Sequence, residues 1–397
     1  MIEIRGNETF SERKAHSNQV QIDKINCNDL TYDVFHQKYM HKNVPLVIEA
    51  IPQKWKSTQT WIKSAEIDFD YLKEKLPNHK VPIADCSKQH LNSHEKFEMD
   101  LHDFLDYWST AKVKPNCDGK LWYLKDWHLR KVQPFYDFYN IPQYFASDWL
   151  NEYLHGSEQD DYKFVYMGPK GTWTPFHVDV FHSFSWSTNI FGIKKWILMH
   201  PNEERKLLDN LNNLPFAITE ELLQKTGCAY TCLLQKAGDT IFVPSGWYHQ
   251  VHNTQDTISI NHNFFNGCNV SHVWSALLES YRKVVKEISD CRDMDNFEGH
   301  CQIMLKALHG MNFEDFVDLL KVVVDNRIQR FRRTDDQLPI NEFAIGENLC
   351  RFDLQSCLSL IDTMVRSDKE LNFGIEILNA CNQLRATINE ELKNYID

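Results

Sequence analysis

The chain has 397 residues, 42% of them hydrophobic and 25% charged, which supplies a sizeable packed interior and excludes a disordered or fibrous protein. Its 43 basic residues are outnumbered by 55 acidic ones, for a formal charge of −12, so the broad basic surface that phosphate tracking needs is missing and direct nucleic-acid binding is not expected. No run of about 18 apolar residues occurs, so no membrane span is expected either.

In chain order, residues Leu30 to His41 read as a helix that stops before Asn43-Val44-Pro45, and Leu46-Val47-Ile48 after that proline reads as a short strand. A second helix is predicted from Asp100 to Lys112, where Leu101, Phe104, Leu105 and Trp108 share one face, followed by an apolar strand at Leu121-Trp122-Tyr123-Leu124. From Tyr162 to Phe265 the pattern changes to eight short strand-like segments: Lys163–Met167, Pro175–Phe181, Phe184–Ile190, Lys194–His200, Ala229–Gln235, Thr240–Val243, Trp247–Asn253 and Thr257–Phe265. Eight such strands are naturally accommodated by a jelly roll, and the 24 Phe and 11 Trp suit its inward faces. The one long break, Pro201 to Gly227, looks helical at its start and again at Glu220–Lys225.

Beyond Val270 the periodicity is helical almost throughout. Phe313, Phe316, Leu319, Leu320 and Val323 form one apolar stripe, and a bundle of such helices could brace the core or form a homodimer face. The basic run Arg327 to Arg333 in this region reads as a solvated helix face. The expected fold is therefore α+β with a mainly β core. N-terminal α/β elements (1–156) precede a jelly-roll core (157–268), and a C-terminal helical region (269–397) follows.

Met1 to Gln21 is polar and charged and does not read as a leader. The 11 cysteines are scattered without a C-x-x-C pair, pointing away from disulfides and zinc ribbons and towards a reducing compartment, the cytoplasm or the nucleus. Cys228 and Cys232, the closest pair, read as core filling.

His177-Val178-Asp179 opens the strand-rich region, and alternation along a strand turns residues i and i+2 to the same face. A histidine on a facing strand would complete two imidazoles and one carboxylate, the facial triad of non-haem iron(II) oxygenases. With 18 histidines in the chain one H-x-D arises by chance, so company decides. His249 closes Gly238-Asp239-Thr240-Ile241-Phe242-Val243-Pro244-Ser245-Gly246-Trp247-Tyr248-His249, read as a hairpin that starts a strand with a histidine. Catalytic zinc is the rival metal, but its helical H-E-x-x-H pattern is absent.

These phrases, together with Asn43-Val44-Pro45-Leu46, Gly168, Thr174-Pro175-Phe176 and Gly192-Ile193-Lys194-Lys195-Trp196, resemble the jumonji-C oxygenases over about Val34 to Phe265. The resemblance implies a cupin-like double-stranded β-helix, ferrous iron held by His177, Asp179 and His249, and dioxygen and 2-oxoglutarate as cosubstrates, the latter oxidatively decarboxylated to succinate as a C–H bond is hydroxylated. It also implies Lys194 as the cation for the far carboxylate of 2-oxoglutarate, with Lys195 as the competing position. Tyr123 and Thr174 would be hydroxyl donors to the same carboxylate, and Asn263 an amide steadying the metal end. His252 and His262 fit no ligand position and read as structural. Trp122-Tyr123-Leu124-Lys125-Asp126-Trp127-His128 and the helical tail look most like the jumonji domain-containing protein 4 group, whose members are lysyl hydroxylases of a translation termination factor. A protein lysine demethylase and a non-catalytic jelly-roll binding protein are the other readings.

Overall fold

The computed structural model describes residues 1–5, 21–113, 119–157, 159–332, 343–371 and 373–393. The strands of its two large sheets are, in chain order, β1 (Asp23–Asn26), β2 (Leu46–Glu49), β3 (Lys80–His90), β4 (Ser93–Asp100), β5 (Trp122–Trp127), β6 (Lys163–Gly168), β7 (Trp173–His177), β8 (Phe184–Phe191), β9 (Ile193–Met199), β10 (Tyr230–Lys236), β11 (Asp239–Val243), β12 (His249–Asn253) and β13 (Thr257–Phe264). They form a nine-stranded sheet of order β1-β2-β11-β8-β13-β6-β5-β3-β4 and a four-stranded sheet of order β10-β9-β12-β7. Strands β6 to β13 divide between the two sheets as a jelly roll, and the N-terminal strands extend both edges of the larger one.

The division of labour between the faces of the larger sheet follows from alternation. On one face, Phe184 and Trp186 of β8, Phe242 of β11 and Ile258, Ile260 and Phe264 of β13 pack against Phe35, Tyr139 and Phe145 from the N-terminal region in one continuous core. On the other, Ser185, Ser187 and Asn189 of β8 stand opposite Asn263, Asn261 and Ser259 of β13. The barrel interior is therefore polar on this wall, and polar groups taken out of water need partners. Elsewhere Trp196, Leu198, Ile241, Val243, Trp247 and Val251 form a separate apolar cluster.

Several sequence boundaries shift. The segment read as Pro175–Phe181 leaves the ladder at His177, and beyond it Phe181 and His182 adopt left-handed backbone (φ 58° and 51°) that no strand tolerates. The run ending in His249 is no hairpin: β11 lies in the larger sheet and β12 in the smaller, so the chain crosses the barrel there. The first helix covers Tyr32–Phe35 and then winds more loosely through His36–Met40. Gly192, in the β8–β9 turn, has φ 76°, and a methyl group in its place would lie 1.8 Å from the Asp256 carbonyl oxygen, so glycine is required.

Besides short helices among the N-terminal strands, the chain has α1 (Leu101–Val113), α2 (Trp149–Tyr153), α3 (Glu220–Thr226), α4 (Val270–Glu287), α5 (Phe297–His309), α6 (Phe313–Arg332), α7 (Glu347–Leu371) and α8 (Ile375–Lys393). Helix α3 starts on the Thr219 hydroxyl, which accepts from the Leu222 amide, and ends on left-handed Gly227. The stripe from Phe313 to Val323 is buried inside the α4–α8 bundle, where it forms that bundle's own core. Arg327 corrects the reading of its basic run as solvated. Its side chain is 0% exposed because Glu152 of α2 and Asp353 of α7 hold it; Arg333 lies outside the described residues. Cys228 is buried as expected, but Cys232 is exposed.

Candidate active site

His177 ends β7 and His249 begins β12, and the two are cross-strand partners within the smaller sheet. The second histidine thus comes from the adjacent strand of the same sheet, not from a facing one, and the ring centroids lie 4.3 Å apart. Asp179 follows the strand in extended backbone (φ −61°, ψ 148°), and one ligand atom from each of the three residues falls within 4.8 Å of the others.

The tautomers are fixed by the backbone. His177 Nδ1 lies 2.8 Å from the Pro175 carbonyl oxygen and His249 Nδ1 3.0 Å from that of Trp247. A carbonyl only accepts, so each Nδ1 carries the proton and each Nε2 is left with its lone pair free. Desolvation, reinforced by the adjacent His249 ring, lowers the His177 pKa from its ordinary value, so it stays neutral and able to coordinate. The Ser185 hydroxyl donates to Asp179 Oδ2 at 2.7 Å and orients the carboxylate. Two imidazole nitrogens and a carboxylate on one side of a pocket can hold a divalent transition metal with positions left open.

The same cavity is lined by Tyr123, Thr174, Lys194 and Asn263, so the structure brings all seven residues singled out in the sequence together. A bulge accomplishes part of this. Thr174 and His177 are three apart and would face opposite ways on a regular strand, but β7 pairs Thr174 with Val251 and His177 with His249, fitting one extra residue around Pro175.

Lys194 and its neighbour separate as alternation requires. Lys194 is 2% exposed and points into the barrel, where its ammonium donates to Ser259 Oγ at 2.7 Å and to Tyr123 Oη at 3.3 Å. Lys195 faces outward and pairs with Glu220 at 2.6 Å. Among the described residues Lys194 therefore has hydroxyl partners and no carboxylate, and burial, with the Lys125 ammonium nearby, pushes it down to about 7. A buried ammonium of this kind fits an incoming carboxylate.

Gly168 lets Tyr123 reach this position, since a methyl group there would lie 2.6 Å from Tyr123 Cδ2. Asn263 Nδ2 donates to Ser183 Oγ at 3.1 Å. His262 turns to the outer core, its ring 4.2 Å from Trp186 and its Nε2 2.7 Å from Tyr139 Oη, and His252 stacks on Trp173. Neither joins the His177–Asp179–His249 group. Sequence reasoning missed Ser185, Ser259 and Lys125. For Lys125 a signal existed: it lies two residues beyond Tyr123, on the same face of the same strand.

The JmjC domain, hydroxylase family model matches residues 164–264, the span from β6 to the end of β13. The chain is similar to the 2-oxoglutarate and iron-dependent oxygenase JMJD4 homolog of Drosophila melanogaster, at 42% identity over 91% of this chain and 92% of the relative. It is 41% identical to 2-oxoglutarate and iron-dependent oxygenase JMJD4 of Homo sapiens over 84% and 82% of the two chains. Similarity also extends to an Arabidopsis thaliana protein named arginine-specific demethylase JMJ20, at 37% identity over 87% and 79%. Identity of this level across most of both chains, joined to the jelly roll and its pocket, places the chain in the jumonji-C family of 2-oxoglutarate and iron-dependent oxygenases.

Proposed function

We propose that this oxygenase hydroxylates a lysine side chain of a translation termination factor, with His177, Asp179 and His249 holding the iron and Lys194, Tyr123 and Thr174 receiving the far carboxylate of 2-oxoglutarate. The observation that carries the site assignment is the meeting of the three ligand atoms within 4.8 Å and the carboxylate-free Lys194 ammonium in one pocket. A ferrous ion held by His177, Asp179 and His249 would, with 2-oxoglutarate and dioxygen, supply the oxidising power for C–H hydroxylation coupled to succinate formation.

The protein's part is positional. Ser185 holds the Asp179 carboxylate, the Pro175 and Trp247 carbonyls hold the two imidazoles, and Tyr123 and Ser259 aim the Lys194 ammonium. The apolar cluster of Trp196, Leu198 and Val251 lies on the same inward faces and limits water near the centre. The target follows from the likeness to the jumonji domain-containing protein 4 group, and the net charge of −12 suits a basic protein segment. The proposal places the reaction in the cytoplasm or nucleus; among the described residues no helix is long and apolar enough to cross a membrane.

Incubating the iron-loaded protein with a release factor, 2-oxoglutarate and oxygen is expected to give stoichiometric succinate and a gain of one oxygen on a lysine. The likeness to an arginine-specific demethylase favours N-demethylation as a second reading, and loss of a methyl carbon with formaldehyde release from a methylated peptide would replace the first.

Lys194 gives a pH prediction. Free Lys194 is largely neutral above about pH 7, whereas a bound carboxylate favours the ammonium. Binding at pH 8 therefore takes up a proton, and affinity falls as pH rises above 7. Calorimetry with N-oxalylglycine in buffers of different ionisation enthalpy measures this uptake, and none at pH 8 would count against the assignment.

A further inference from the structure

Lys125 lies two residues beyond Tyr123 on β5, so the two side chains turn into the barrel while Leu124 between them is fully buried in the opposite core. It lines the same cavity as the triad and Lys194. Its ammonium stands 5.6 Å from the centre of the Tyr166 ring, and that of Lys194 stands 5.8 Å from the same ring.

Among the described residues the Lys125 ammonium has no hydrogen-bond acceptor. The adjacent carboxylate, Asp126, is already engaged: it accepts from Tyr166 Oη at 2.7 Å and from Lys96 Nζ at 2.9 Å. Burial lowers the Lys125 pKa, and Asp126 offsets this only in part. Two further polar atoms on the walls of the cavity lack partners, Ser187 Oγ and Asn261 Oδ1, which belong to residues opposite each other in the β8·β13 register. An unpaired ammonium and unpaired polar atoms in a cavity are costly unless a ligand satisfies them.

The pocket's cations outnumber what one carboxylate can use. Lys194 accounts for the far end of a dicarboxylate, and Asp179 is committed to the metal. We propose that Lys125 is a second cationic contact for the cosubstrate, so that 2-oxoglutarate lies between two ammonium groups, with Lys194 at its far carboxylate and Lys125 at its metal-chelating end. This rests on reading the pocket as the iron and 2-oxoglutarate site and is independent of which protein is hydroxylated. Lys125 is then a binding residue for the cosubstrate, and no bond is made or broken at it.

The test needs no protein substrate. N-oxalylglycine and oxalate are titrated by calorimetry into the full chain loaded with manganese(II); oxalate carries only the chelating end. Lys125→Met is expected to weaken both ligands about tenfold or more, the scale of one lost charge-assisted hydrogen bond. Lys194→Met should weaken N-oxalylglycine and leave oxalate nearly unchanged, and Lys125→Arg should retain most of the affinity. Manganese binding without either ligand should not weaken in any of the four proteins, which separates a lost contact from a damaged fold. Unchanged affinities in Lys125→Met would overturn the proposal, as would weakening of N-oxalylglycine without oxalate, which would move Lys125 to the other end. A failed search for lysine hydroxylation would leave these titrations untouched, so the two readings fail separately.

Discussion

Alanine at His177 or at Asp179 is expected to reduce succinate formation more than about 100-fold, beyond the upper range for losing an outer partner of a metal ligand. Each substitution removes one of three donors that converge within 4.8 Å, and among the described residues no other histidine, cysteine or carboxylate completes such a group. The two remaining donors cannot define one face of an octahedron. The loss should be chemical, not structural. His177 and Asp179 are only partly buried and lie at and just beyond the end of β7, so thermal unfolding of the metal-free variants should stay close to that of the parent. Metal content by mass spectrometry, read beside succinate, separates the two causes, and full turnover in either variant would remove the residue from the ligand set.

The jelly roll was legible because its strands are short, regularly spaced and bounded by turn residues, and because the contributors to its site sit inside the phrases that carry the family resemblance. What the sequence did not disclose lies where the backbone departs from regular alternation. Thr174 and His177 share a side only through the bulge at Pro175, and the side chains on strand β7 cannot be phased without knowing it. The separation of β11 and β12 into different sheets was hidden for a related reason: a local run of turn residues fixes that the chain reverses, not which sheet receives it. Lys194 and Lys195 could be separated only by tertiary partners, Ser259 inside and Glu220 outside. Arg327 was misread because a helical pattern of charges does not reveal carboxylates supplied from residues 152 and 353.

Those carboxylates make Arg327→Met the most destabilising single change expected in the helical region, at about 3–5 kcal/mol, the usual cost of removing one partner from a buried ion pair. Arg327 Nη1 and Nη2 donate to the two oxygens of Glu152 at 2.7 and 3.2 Å, and Nε donates to Asp353 Oδ2 at 2.7 Å. All three side chains are at most 2% exposed, so their charges have little water to return to. The cluster ties α2, which leads into the jelly roll, to α6 and α7, with Trp149 and Asn326 donating to its carboxylates. The pH dependence has a definite sign. Burial already raises Asp353 above its ordinary value, and losing the guanidinium raises it further. A carboxyl whose folded pKa is raised destabilises the native state progressively as pH climbs through that interval, and less when it is protonated. The deficit of Arg327→Met in urea unfolding should therefore be larger at pH 7.5 than at pH 5. Adding Glu152→Gln and Asp353→Asn should restore much of the loss by removing the stranded charges. A deficit that is flat with pH and insensitive to those two changes would show that Arg327 acts through packing volume, and not as the counter-ion that lets two buried carboxylates coexist.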